Sequence, residues 1–186
     1  MRVRITIAYV LATLLLMAAL GRATTLARMD LEQLAASADA IARVECAAVG
    51  SQWQSGGIWT VTTFHTVETF KGNLPATFTT VLPGGRVGHL TARVDGAPRF
   101  VPSEQAVVFF QRTRAGGFSV TGWVQGTFRI LRDRQSGQET VTQDSSGFAV
   151  FDPVSRSFRT EGVRAMPIEQ FRKRLAAAAQ RQEATR

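Results

Sequence analysis

The chain of 186 residues has one cysteine, Cys46, and two histidines, His65 and His89. A single cysteine excludes an intrachain disulfide. Two histidines, without a His-x-x-x-His or Cys-x-x-Cys spacing, fall short of the three or four ligands that a zinc site needs. No metal and no cofactor are therefore expected. Gly-x-Ser-x-Gly is missing, which removes the nucleophile elbow of α/β-hydrolases, and Ser145-Ser146-Gly147 reads as turn chemistry. Pro83-Gly84-Gly85-Arg86-Val87-Gly88 lacks the Gly-Lys-Ser/Thr ending and the following helix of a phosphate loop; its glycines read as turn formers. Glycoside chemistry asks for two acids held across a cleft. Glu68, Glu104, Asp95 and Asp152 are candidates only by residue type. Cys46 shares its strand parity with Ala42, Val44 and Ala48, which marks it as a small buried hydrophobe; a catalytic thiolate wants an exposed site and a histidine partner. No catalytic residue emerges, and the chain reads as a non-enzyme.

Long apolar runs are also missing, with one exception at the start. Arg2 and Arg4 precede an uncharged stretch from Ile5 to Leu20, and Gly21-Arg22-Ala23 places small residues at −3 and −1 of a cut after Ala23. This is the layout of a secretory signal peptide. The run of about 16 residues is shorter than the roughly 20 that span a bilayer, so residues 1–23 are expected to be removed rather than kept as an anchor. No cysteine follows to carry a lipid. The expected location is exported, periplasmic or secreted. Loss of Arg2, Arg4 and Arg22 lowers the formal charge from +8 to +5. The remaining excess is scattered arginine, which suits solubility and not the basic stripe with interleaved aromatics of a nucleic-acid binder. On charge alone an acidic polymer or an anionic membrane surface stays among the partners.

What is present is β pattern. Ala106-Val107-Val108-Phe109-Phe110, within Gln105–Arg112, is apolar on both parities and rich in strand formers, so it predicts a strand covered on both faces. Residues 24–30 read as a loose polar lead-in. Asp30 and Gln33 stand in capping-box positions ahead of a short helix with Leu31, Leu34 and Ala35 on its apolar stripe. Strand 1 is predicted from Ile41 to Val49, ended by Gly50-Ser51-Gln52, and Ser55-Gly56-Gly57 turns it into strand 2, Ile58–Phe70. At this length strand 2 is expected to carry a bulge. Strand 3 is Thr77–Leu82. Residues 83–103 are broken by three prolines and four glycines, with a hairpin-type turn at Asp95-Gly96. Further strands are predicted at Phe118–Val124, Thr127–Arg132 (Phe128 and Ile130 inward, Arg129 outward), Glu139–Thr142 and Phe148–Phe151. Pro167–Arg181 is a helix with Ile168, Phe171, Leu175 and Ala178 on one stripe and a basic face toward water.

Three segments resemble known sequences: Ser37-Ala38-Asp39-Ala40-Ile41-Ala42-Arg43-Val44, Thr66-Val67-Glu68-Thr69-Phe70-Lys71-Gly72, and Pro83-Gly84-Gly85 with Gly96-Ala97-Pro98-Arg99-Phe100, Ala106–Phe110 and Gly122–Phe128. Together they resemble a group of uncharacterised exported bacterial proteins, some of them joined or adjacent to secreted matrixin-like metalloproteases. The first two segments also resemble the netrin-like OB barrel of tissue inhibitors of metalloproteases. The resemblance implies an OB-type barrel over roughly residues 31–131. Those inhibitors begin with a cysteine whose backbone reaches the protease zinc and are disulfide-rich, whereas this mature chain would begin Thr24-Thr25-Leu26. Ser103-Glu104 stands where the group has Gly-Glu.

The expectation is therefore a mainly β protein: a single antiparallel barrel (OB/netrin-like) or sandwich over residues 24–166, with a short N-terminal helix and an amphipathic C-terminal helix, 167–186, packed on it. A long loop in a compact domain usually packs on itself or carries function. The candidate binding surface accordingly comprises Arg86, His89, Arg99 and Phe100 of the 83–103 segment, with Trp123. The functional expectation is an exported binding or accessory module acting on a protein or polymer of the envelope or exterior. The alternatives are an inhibitor or pro-domain-like partner of a secreted metalloprotease, and an unrecognised hydrolase.

Overall fold

The computed structural model describes residues 26–147, 149–160 and 162–183. The predicted signal segment lies outside the described residues, as does Phe148 at the head of a predicted strand. The apolar run forms β6, Gln105–Arg112. One edge of β6 pairs antiparallel with β1, Ala40–Gln54, from Ala40↔Phe110 to Glu45↔Gln105. Its other edge is divided: Phe110–Arg112 takes β7, Phe118–Val120, and Ala106–Val108 takes β8, Thr127–Arg132. β1 also pairs with β2, Gly57–Lys71, and β2 with β3, Thr77–Pro83. β3 meets β7 at Thr80↔Phe118, which closes a five-stranded barrel. The circuit β1-β2-β3-β7-β6-β1 is the Greek-key connectivity of an OB-type barrel. The closing pair is parallel, within a barrel that is mostly antiparallel as expected. It follows from β6 lying between the two strands: the chain crosses the barrel end after β3, runs back as β6 and reverses again into β7.

Both faces of β6 are covered, because its two parities enter different cores. Ala106, Val108 and Phe110 face the barrel interior with Phe64, Phe78, Phe100 and Phe118. Phe64 meets Phe100 edge-on with ring centres 4.8 Å apart, a favoured aromatic arrangement. Val107 and Phe109 face outward into a second core with Phe128, Leu34 and Phe171. Cys46 is buried in the barrel core, and burial pushes its thiol pKa up, away from thiolate chemistry.

The outer core is closed by a wing of β8, β9 (Glu139–Gln143) and β12 (Met166–Pro167), with helices α1 (Leu31–Ser37) and α2 (Ile168–Glu183). The capping box forms: Gln33 N donates to Asp30 Oδ1 at 2.7 Å, and Asp30 N to Gln33 Oε1 at 2.9 Å. Ile168, Phe171, Leu175 and Ala178 are the buried stripe of α2. Pro167 pairs with Thr140 instead of opening the helix. The basic face is not wholly given to water. Arg172 reaches Glu68 at 2.7 Å and Arg181 reaches Glu32 at 2.7 Å, tying α2 to β2 and α1. Residues 26–30 are pinned, not loose: Gln125 accepts from Met29 N and donates to Ala27 O.

Several strand limits differ from the sequence reading. β1 continues through Gly50-Ser51-Gln52 because β2 supplies partners as far as Gln54↔Gly57, and Ser55 and Gly56, both at positive φ, make the two-residue turn. The expected irregularity in the long strands is real, with register shifts at Ile41/Ala42, Arg43/Val44 and Cys46/Ala48. The strand after Gly117 stops at Val120. Gly122 and Trp123, at φ 62° and 52°, send the chain into a 3-10 turn, Trp123–Gly126. Gly126 is needed there, since a Cβ would sit 1.9 Å from the Thr121 carbonyl oxygen. The 83–103 segment contains a small hairpin, β4 (Gly85–Val87) with β5 (Leu90–Ala92), turning at Gly88-His89. Asp95-Gly96 lies in a plain β-turn from Val94 to Ala97 instead. A further hairpin pairs β10 (Val150–Asp152), which overlaps the strand predicted over Phe148–Phe151, with β11 (Ser157–Arg159), for which no strand was predicted.

Thr62 and Thr80 face each other across β2 and β3, both buried, and neither hydroxyl has a hydrogen-bond partner. Thr80→Val keeps the shape and removes the unsatisfied group, so unfolding in urea is expected to require about 1 kcal/mol more. Arg43 grips Glu139 through two bonds of 2.8 Å and holds that carboxyl below the usual glutamate range. Its share of stability is complete above the usual range and is lost as pH falls through the lowered value. Glu139→Gln is expected to flatten the acid limb of a stability–pH profile.

Candidate functional site

Along β2, Thr60, Thr62 and Phe64 share the inward face; along β3, Leu82, Thr80 and Phe78 do so. At the open end of this column lies a cleft of about 390 Å³. Val49 and Ser51 of β1 form one wall with Thr60, Leu82 and Phe100 contribute the apolar lining, and the 84–100 segment folds over the rest. The size falls within the range of about 300–1,000 Å³ typical of small-molecule sites. Arg86, Arg93 and Arg99 line it, all exposed. No carboxylate lines it, and among the described residues none of the three arginines makes an ion pair.

Two contacts fix the corner where β3 becomes this segment. Thr60 Oγ1 donates to the Gly84 carbonyl at 2.6 Å and lies 2.9 Å from Ser51 Oγ. Gly85 is at φ 132°, and a Cβ there would lie 2.3 Å from both hydroxyl oxygens. A larger residue would have to displace the Ser51 and Thr60 side chains and adopt a strained backbone conformation.

Arg129 holds the other side. Its strand parity suggested a solvent-facing side chain, yet only 15% of that side chain is exposed. It makes bonds of 2.7 and 2.6 Å to the two Asp144 carboxylate oxygens, an ion pair of 2.6 Å with Glu104, and a 2.6 Å bond to the Arg99 carbonyl. Its guanidinium lies 4.6 Å from the centre of the Phe100 ring. Burial lowers its pKa, but the bonds and charges of Asp144 and Glu104 outweigh that and the net direction is upward. The face of β8 away from the outer core is thus roofed by residues 99–104. Ser103, at φ 67°, takes the left-handed conformation that ordinarily favours glycine.

The structure brings Arg86, Arg99 and Phe100 together around the cleft. Phe100 is part of the lining and not a surface contact, with 6% exposure, because its ring packs into the barrel core. His89 sits exposed at the β4–β5 turn and Trp123 is half-buried in the 3-10 turn; neither lines the cleft. Arg93 was not singled out from the sequence; the only signal was a third arginine in the same glycine- and proline-rich segment. Arg129 gave no signal, since its role depends on Asp144 and Glu104 far along the chain. Of the acids weighed for catalysis, Glu68 pairs with Arg172, Glu104 with Arg129, and Asp152 accepts from Val154 N. Asp95 lines a neighbouring cleft of about 490 Å³ that shares Arg93 and Arg99 with the first. Among the described residues no group of three His, Cys, Asp or Glu side chains is placed to hold a metal, and no helix is long and apolar enough to cross a membrane.

Arg129→Met would leave Glu104 and Asp144 partly buried without their cation. The expected loss is about 3 kcal/mol in denaturant unfolding, with faster amide exchange across residues 99–104. The chain matches no protein family, no curated protein and no solved structure with which it was compared.

Proposed function

We propose that the chain is an exported binding module that uses the mouth of its barrel as its ligand surface and performs no reaction there. The observation that carries this reading is the convergence of Arg86, Arg93 and Arg99, all without ion-pair partners among the described residues, on one concave site with Leu82 and Phe100 in its lining. Charged groups left unpaired around a pocket are ready for a partner of opposite sign. Of the lining hydroxyls, Ser51 and Thr60 are bonded to each other and Thr60 to the Gly84 carbonyl, and no histidine or carboxylate stands in the lining to activate these two or Thr91. Export rests on the N-terminal pattern of Arg2, Arg4, the Ile5–Leu20 run and the small residues before Thr24.

A second reading, an inhibitor or pro-domain-like partner of a secreted metalloprotease, draws on the closed five-stranded barrel together with the sequence resemblance. Fold alone does not select a function, and the chain has no cysteine at the expected mature start. Binding through the mouth is therefore the preferred reading.

The test is capture from the cell envelope by the mature chain and by the triple variant Arg86→Gln/Arg93→Gln/Arg99→Gln. Wild type is expected to retain a ligand or partner, and the variant, folded by circular dichroism, to lose it. Equal capture by both, or by neither, would overturn the assignment. Inhibition of a co-exported metalloprotease by wild type and triple variant alike would favour the second reading.

A further inference from the structure

We infer that the mouth cleft takes a small anionic amphiphile, with an acid head group on the arginines and an apolar body against Val49, Leu82 and Phe100. This rests on the proposed use of the mouth as the binding site and specifies its ligand. The lining contains no Asp, Glu, Asn or Gln, so it has no side-chain amide or carboxylate to accept from the hydroxyls of a sugar or other neutral polar ligand. Of its three hydroxyls, Ser51 and Thr60 are already engaged with each other and with a backbone carbonyl, which leaves Thr91 as a single hydroxyl for a ligand. Its side chains offer arginine N–H groups in quantity and little else that is polar. A guanidinium fork matches a carboxylate or phosphate with two parallel bonds, and such charge-assisted bonds are the strong ones. The Arg86 Nε–H is turned back onto the Gly88 carbonyl at 3.1 Å. That leaves its terminal nitrogens for a ligand.

The apolar half of the site is as specific as the charged half. Leu82 and Phe100, 4% and 6% exposed, both line this cleft. Val49 stands at its edge, 37% exposed. An inorganic anion would leave this surface wetted, whereas an amphiphile buries it at about 25 cal/mol per Å². The Phe100 ring is backed by Phe64 and held by Arg129, so the lining is formed before the ligand arrives and little ordering is lost on binding.

The experiment measures calorimetric binding of octanoate, octyl phosphate, 1-octanol and inorganic phosphate to the mature chain, with hexaglutamate as an acidic-peptide competitor. Octanoate or octyl phosphate is expected to bind at least about tenfold more tightly than 1-octanol, the margin of one charge-assisted contact; which of the two binds better identifies the head group. Arg86→Gln/Arg99→Gln should remove that margin, and Val49→Asp, at an exposed position that tolerates charge, should weaken both acids without unfolding the chain. Equal binding of 1-octanol, or binding by none of the amphiphiles, overturns the ligand class. So does phosphate or hexaglutamate binding more tightly than either acid. In those cases the envelope capture separates the two ideas: capture that still depends on the arginines keeps the mouth as the site, and capture that ignores them removes it.

Discussion

Everything outside the barrel answers to one constraint, the burial of β6 on both faces. A closed five-stranded barrel covers only the inward parity of that strand, Ala106, Val108 and Phe110. Val107 and Phe109 would face water on a bare barrel, and hydrophobic side chains of this size each lose about 1.5–3 kcal/mol when exposed. The wing of β8, β9 and β12 and the two helices supply the missing cover, through Phe128, Val141, Leu34 and Phe171. The C-terminal helix is therefore a wall of the second core and not an appendage. β6 can serve both cores because its free edge is divided, giving Ala106–Val108 to the wing and Phe110–Arg112 to the strand that closes the barrel.

The second dependency runs through Arg129. It stands on β8 with Phe128 on the opposite face, so the strand that seals the outer core also carries the cation that roofs the mouth. Pairing with two carboxylates, one from the segment before β6 and one from the 3-10 turn after β9, joins three parts of the chain distant in sequence. The net stability of such an ion cluster is modest, since its desolvation offsets much of its Coulomb gain. Its effect is geometric: it sets the path of residues 99–104 and the tilt of the Phe100 ring.

What was legible in the sequence was local. The double-parity run of β6, the Asp30/Gln33 capping box, the stripe of α2 and the limits of β8 each follow from a pattern within one element. β1 was cut short because Gly50-Ser51-Gln52 looks like a break until β2 is seen to supply partners beyond it. The parallel closure at Thr80↔Phe118 rests on a single register point between strands that show no local sign of meeting. The same holds for the site. Arg86, Arg99 and Phe100 were reachable because a long glycine- and proline-rich segment invites attention. Arg129 was misplaced because parity gives the face of a strand, and only the full fold shows whether that face meets water.

The two dependencies meet in the charge of the mouth. Residues 83–104 and the turns nearest to them carry acids as well as arginines, and free acids there would neutralise the rim. Glu104 and Asp144 are held by Arg129, while Asp95 and Asp144 line the neighbouring hollow together with Arg93 and Arg99. Arg129 thus occupies two of the nearby acids, and Arg86, Arg93 and Arg99 make no ion pair among the described residues. The field at a concave, partly desolvated opening is stronger than the same charges would produce on a flat surface. A scattered excess of arginine, unremarkable along the sequence, becomes three arginines around one opening because the fold pairs two of the nearby acids with Arg129.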